Sequence, residues 1–139
     1  MGIVEELAAA RAGLARLSPD DAWRLSRAGG LLVDIRPEYQ RRTDGEVPGA
    51  IVIERNHLEW RCDPGSDARI PEATDHQVTW IVLCDEGFAS SLAAASLRRL
   101  GLHRATDVIG GFRAWRTAGL PVLRPGTPAV PRLFGQPHA

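Results

Sequence analysis

Four short apolar runs constrain this chain most: residues 31–35, 50–53, 79–84 and 106–109. Each is too short for a buried helix and is built around Val, Ile or Leu, so each reads as a buried strand. Stretches with helical signals separate them. Strands alternating with helices predict an α/β fold in which a central parallel β-sheet is flanked by helices on both faces. In such sheets ligands bind outside the carboxyl ends of the strands. Three of those ends carry polar or reactive groups: Asp34 and Arg36, Glu54 and Arg55, and Cys84.

The connecting segments support this layout. Ile3, Val4, Leu7, Leu14 and Leu17 fall near helical spacing, which predicts an amphipathic helix over residues 1–17 packed on the domain edge. Ser18-Pro19-Asp20-Asp21 is a helix start: Ser18 caps, Pro19 suits the first position and the acids suit the dipole. That helix runs to about Ala28 and stops at Gly29-Gly30. Short helical turns are predicted near 37–42 and 57–60, and a loop over 61–78. Ser90-Ser91 opens an alanine-rich helix, with the two hydroxyls as capping groups, and Gly101 ends it. A last helix carries Phe112 and Trp115. From residue 123 prolines and glycines dominate, which predicts an extended or disordered tail to 139.

The 139 residues suffice for one domain, placed at 18–122, and are too few for two. Basic and acidic residues balance at 17 each, so no net field draws the chain to nucleic acid or an anionic membrane. Every basic residue is Arg, which excludes a lysine Schiff base and a P-loop lysine. The acidic opening lacks the apolar stretch of a signal peptide, and no segment approaches a membrane span. Two cysteines make no disulfide framework, which suits a reducing cytoplasm. His57, His76, His103 and His138 show no metal spacing, and no metal or cofactor is expected.

Cys84 is the candidate nucleophile. It ends the strongest strand and precedes a compact loop, Asp85-Glu86-Gly87-Phe88-Ala89, and then a helix start. Successive backbone N–H groups in such a loop form an anion nest, and the helix dipole adds partial positive charge. Both favour a thiolate, the reactive form of cysteine, and equally a persulfide anion. Gly87 is placed for a backbone angle that a Cβ forbids. A buried, inert strand-end cysteine is the plainer alternative.

Residues 18–122 resemble the rhodanese-like family. Cys84-Asp85-Glu86-Gly87-Phe88-Ala89-Ser90 is similar to its C-x-x-G-x-[RST] loop, and Asp34-Ile35-Arg36 to its D-x-R. Gly45-Glu46-Val47-Pro48-Gly49-Ala50 is similar to its G-H-I-P-G-A turn. Gly110-Gly111-Phe112-Arg113-Ala114-Trp115, with Gly119-Leu120-Pro121, is similar to its G-G-x-x-x-W and G-x-P. Each motif alone is weak, but four in order are strong. The resemblance implies sulfane-sulfur transfer through a Cys84 persulfide, from a small-molecule donor to a thiol or cyanide-like acceptor or a partner protein. It makes the segment Asp85 to Ser90 the active loop.

Two departures bear on the substrate. Many members carry Arg at the position of Ala89, and this loop carries Asp85 and Glu86 instead. Those charges oppose a dianion such as thiosulfate, which predicts weak thiosulfate activity and favours a persulfide or 3-mercaptopyruvate. Glu46 replaces the usual His and is read as structural. Arg36 and Arg55 are candidate donor-binding groups, and Asp34 a structural brace. Cys62 is read as an incidental loop thiol, with resolution of the persulfide as its alternative role. The four tryptophans are read as packing residues. Two other functions compete. A Cys-dependent phosphatase or arsenate reductase needs C-x5-R, but Ser90 holds the Arg position. A non-catalytic interaction module is compatible with the acidic loop.

Overall fold

The computed structural model describes residues 2–124; the predicted tail from 125 onward lies outside the described residues. Four parallel strands, β1 (Leu31–Asp34), β2 (Ile51–Val52), β3 (Trp80–Leu83) and β4 (Thr106–Asp107), form one sheet in the order β2-β1-β3-β4. β1 pairs with β3 through Leu31↔Trp80 to Asp34↔Leu83 and with β2 through Val33↔Ile51 and Asp34↔Val52. The chain therefore moves outward from β1 to β2, then crosses back over β1 to β3 and on to β4. The direction of winding reverses between β1 and β3, and their carboxyl ends flank the crevice that such a reversal leaves.

The central strands are apolar throughout because both faces are covered. Trp80, Val82 and Cys84 pack with Val33 and Ile35 against Ala93, Ala94 and Leu97 of α5 (Ala89–Arg99) and Leu58 of α4 (Leu58–Cys62). The alternate residues Leu32, Ile81 and Leu83 pack against Ala22 of α2 (Pro19–Arg27) and Phe112 and Trp115 of α6 (Gly111–Thr117). Period-two alternation thus places Cys84 on the α5 side of the sheet.

α1 (Ile3–Ala12) is shorter than the apolar spacing predicts. It ends at Gly13, contains no buried residue and lies against α5, with Ile3 and Val4 exposed. Leu14 and Leu17 lie past its end and pack against the core, and Leu17 bridges Val108 in parallel. α2 follows its predicted signals: Ser18 Oγ accepts the Asp21 amide at 3.1 Å, and Pro19 occupies the first turn. α3 (Glu38–Asp44) leads into the turn at Gly45. There Glu46 pairs its side chain with Arg41 at 2.8 Å and its backbone with Leu123. A 3-10 turn, Arg55–His57, leads into α4. Cys62 is therefore the last residue of a helix and fully buried, whereas the sequence predicts it in a loop. Trp80 and Trp115 are core residues, but Trp60 is exposed on α4.

Candidate active site

Cys84 follows β3 at the floor of a cleft of about 350 Å³ lined by Ile35, Pro37, Gln40, Arg55, Phe88 and Ala89, among others. Its residue exposure is 6 %, so the thiol is largely withdrawn from solvent. Two backbone amides converge on Sγ: Gly87 donates at 3.2 Å and Ser90 at 3.3 Å. These donors meet sulfur lone pairs in a largely dry setting, the arrangement that holds negative charge. The Ser90 amide belongs to the first turn of α5, where the helix leaves its amides unpaired.

The loop takes this shape because α6 presses against it. Gly87 has φ +87°, and a Cβ there would lie 2.7 Å from the Gly110 nitrogen. Gly111 has φ +61°, and a Cβ there would lie 2.5 Å from the Cys84 carbonyl oxygen. The Phe112 amide donates to that carbonyl at 2.8 Å, and the Arg113 amide donates to the Asp85 carbonyl at 3.1 Å. The paired glycines are thus a close-approach device between two backbones.

Ser90 and Ser91 do not cap α5. Both hydroxyls donate instead to Asp107 Oδ2, at 2.7 and 2.8 Å, and no side chain caps that helix. Asp107 ends β4, is fully buried, and also accepts from Arg16 Nε at 2.8 Å. Arg16 and Arg11 in turn donate to the Gly87 carbonyl.

Arg36, Arg55 and Asp85, three of the four charged residues that line the cleft, are ion-paired. Asp34 and Arg36 are both buried, with Arg36 Nη2 2.8 Å from Asp34 Oδ2 and 2.9 Å from the Gly45 carbonyl. The Arg36 guanidinium also stacks 3.8 Å from the centre of the Phe112 ring. This pair ties the end of β1 to the turn and to α6. Arg55 lines the cleft but bonds both Glu59 oxygens, at 2.9 and 3.0 Å. Burial pushes the Glu59 carboxyl up. The Ser96 hydroxyl, its own backbone amide and Arg55 outweigh that and hold it below the usual range. Asp85 bonds Arg113 at 2.9 Å, while Glu86 and Phe88 are exposed at the rim. The structure thus gathers Arg36, Arg55, Cys84, Asp85, Glu86, Phe88 and Ala89 around one cleft, with Gly87 and Ser90 behind the sulfur.

The Rhodanese-like domain family matches residues 18–118. The chain belongs to this family. A thiosulfate sulfurtransferase from Pseudomonas entomophila is 33% identical over 102 residues, covering 73% of this chain and 84% of its own. A solved structure from Rhodopseudomonas palustris, described as a protein of unknown function and possible tyrosine phosphatase, is 33% identical with a TM-score of 0.79. That match covers 88% of this chain and 94% of the other. A thiosulfate sulfurtransferase from Pseudomonas aeruginosa shares the fold at 22% identity and a TM-score of 0.73, over 98% of this chain and 24% of its own.

Asp107, Arg11, Arg16 and Arg113 escaped the sequence reading. Asp107 carried a signal, since it ends a strand on the side where such sheets bind ligands. The arginines carried none: a charge on a half-exposed helix or loop reads as solvated surface.

Among the described residues no helix is long and apolar enough to cross a membrane.

Proposed function

We propose that the protein is a rhodanese-type sulfurtransferase that carries sulfane sulfur as a persulfide on Cys84. The convergence of the Gly87 and Ser90 amides on a single sulfur at the floor of an open cleft is the observation that carries this reading. The relatives named thiosulfate sulfurtransferase support it.

In the first step the Cys84 thiolate attacks the donor's outer sulfur. A Cys84–sulfur bond forms, the bond from that sulfur to the rest of the donor breaks (S–S in thiosulfate or a persulfide, C–S in 3-mercaptopyruvate), and its electron pair leaves with the remainder as sulfite, a thiolate or the pyruvate enolate. The persulfide anion then occupies the amide nest. In the second step a thiol or cyanide attacks the terminal sulfur, and the bond pair returns to Cys84 as thiolate. This chemistry needs a reduced thiol and suits the cytoplasm.

The cleft argues for a donor of low charge. Among the described residues, the two arginines that line the cleft, Arg36 and Arg55, each face a carboxylate partner, and Glu86 adds negative charge at the rim. Among the described residues a dianion finds no uncompensated cation in the cleft, so a persulfide or 3-mercaptopyruvate is the better donor and thiosulfate a weak one. Steady-state rates with cyanide as acceptor test this. A kcat/KM for thiosulfate equal to or above that for a small-molecule persulfide would overturn the donor assignment.

The phosphatase description of one structural relative has no support at the position that matters. Ser90, where that chemistry needs an arginine, is fully buried and bonded to the Asp107 carboxylate. No turnover of an aryl phosphate is expected.

A further inference from the structure

The peptide group beyond the sulfur's amide donors is held from outside the family match. The Gly87 carbonyl accepts Arg11 Nη2 at 2.8 Å and Arg16 Nη2 at 3.1 Å. Arg11 comes from α1 and Arg16 from the segment after it, both ahead of residue 18, where the match begins. Neither guanidinium is a loose surface charge. Arg11 also donates Nε to Ser91 Oγ at 3.0 Å and lies 5.6 Å from the centre of the Phe88 ring. Arg16 bonds both oxygens of buried Asp107, at 2.8 and 3.2 Å.

This matters because Gly87 is bonded at both ends. Its N–H donates to Cys84 Sγ at 3.2 Å, while its carbonyl meets the two cations. Its φ of +87° is the setting that allows both. The described residues contain no cis peptide bond, so the Phe88 N–H points opposite to the Gly87 carbonyl, away from the guanidiniums. Two positive charges on one carbonyl hold the loop in the conformation that presents amides to sulfur. The Asp107 carboxylate compensates the Arg16 charge, so the effect on the sulfur comes through the bonded carbonyl and the amides it orients. No residue of α1 is fully buried, and these bonds tie the N-terminal segment to the loop.

We infer that Arg11 and Arg16 are positioning residues: by holding the Gly87 carbonyl they keep the sulfur cradle of Cys84 closed and its anion stabilised. The role rests on Cys84 as the reacting sulfur but not on which donor it uses.

The test measures the rate of Cys84 alkylation by iodoacetamide against pH in the full chain carrying Cys62→Ser, which leaves a single thiol. Arg11→Ala, Arg16→Ala, the double variant and Arg11→Lys are compared. In the double variant the alkylation rate at neutral pH is expected to fall several-fold, because the Gly87 and Ser90 amides no longer converge on the sulfur. Arg11→Lys should recover part of the Arg11→Ala loss, since an ammonium still donates to a carbonyl. Identical pH profiles in wild-type and variant proteins that share the same unfolding midpoint would overturn the inference and leave the arginines as mere fasteners of α1. If the double variant does not fold, Arg11→Ala decides the matter, because Arg16 remains on Gly87 and Asp107; an unchanged profile there overturns the inference equally. Sulfur loading of the wild type is read separately by mass. A shifted profile without loading would retain the positioning role and reject the sulfurtransferase reading.

Discussion

Ser90 gives its amide to the Cys84 sulfur at 3.3 Å and its hydroxyl to Asp107 at 2.7 Å, so one residue links the reacting atom to the end of β4. Asp107 is the acceptor for Ser90, Ser91 and Arg16 together, and it is fully buried. Asp107→Ala removes the shared acceptor of two hydroxyls and a guanidinium, leaving Ser91 and Arg16 only the Gly87 carbonyl, at 3.4 and 3.1 Å. Removing one partner of a buried charged network costs about 3–5 kcal/mol. The low end, about 3 kcal/mol, is expected here because Arg16 reaches water. Urea unfolding measures it, as a lower midpoint without a change in slope.

Gly87→Ala tests the close approach between loop and α6. The substitution meets both a positive φ and a Cβ contact 2.7 Å from the Gly110 nitrogen. At Gly119, with φ +75°, nothing lies within 4 Å of a Cβ. Gly119→Ala therefore carries the backbone cost alone, about 1–2 kcal/mol. Gly87→Ala should exceed it in urea unfolding and lose most sulfur-transfer rate, while Gly119→Ala keeps that rate.

Cys62 predicts a pH dependence. Burial, reinforced by the Glu59 charge, pushes its thiol well above the ordinary 9.0. Above about pH 9 the unfolded chain loses the Cys62 proton while the folded chain keeps it. Stability at this group is complete below that pH and falls as pH rises, by up to about 1.4 kcal/mol per pH unit. In Cys62→Ser this component of the alkaline loss should vanish. A slope equal to that of the wild type between pH 9 and 10.5, by thermal or urea unfolding, would contradict the assignment.

Glu86→Arg reverses an exposed charge at the cleft rim. A dianionic donor should gain several-fold in kcat/KM at low salt, and the gain should shrink as salt rises. A donor of lower charge should respond less. Comparing the rates of thiosulfate and of a monoanionic donor such as 3-mercaptopyruvate at two ionic strengths checks both statements.

What the sequence made legible was local. The run Trp80-Ile81-Val82-Leu83 followed by Cys84 and Gly87 announces a buried strand and a tight loop, and both are present. Ser18 capping was legible for the same reason, because donor and acceptor lie three residues apart. The support of the loop was not legible. Arg11 and Gly87 are 76 residues apart, and Ser90 and Asp107 17 apart, so no spacing rule connects them. The serines show how a local rule loses to tertiary structure: a hydroxyl that suits a helix start turns to a buried carboxylate when β4 brings one within 2.8 Å. α1 shows the limit of periodicity. Its apolar positions continue past Gly13, but the helix does not.

Intact mass after incubation with a sulfane-sulfur donor tests the central claim most directly. The wild-type protein should gain the mass of one sulfur atom, the gain should be removed by cyanide or a reducing thiol, and Cys84→Ser should gain nothing. No labile gain on the wild type, or an equal gain on Cys84→Ser, would contradict the account.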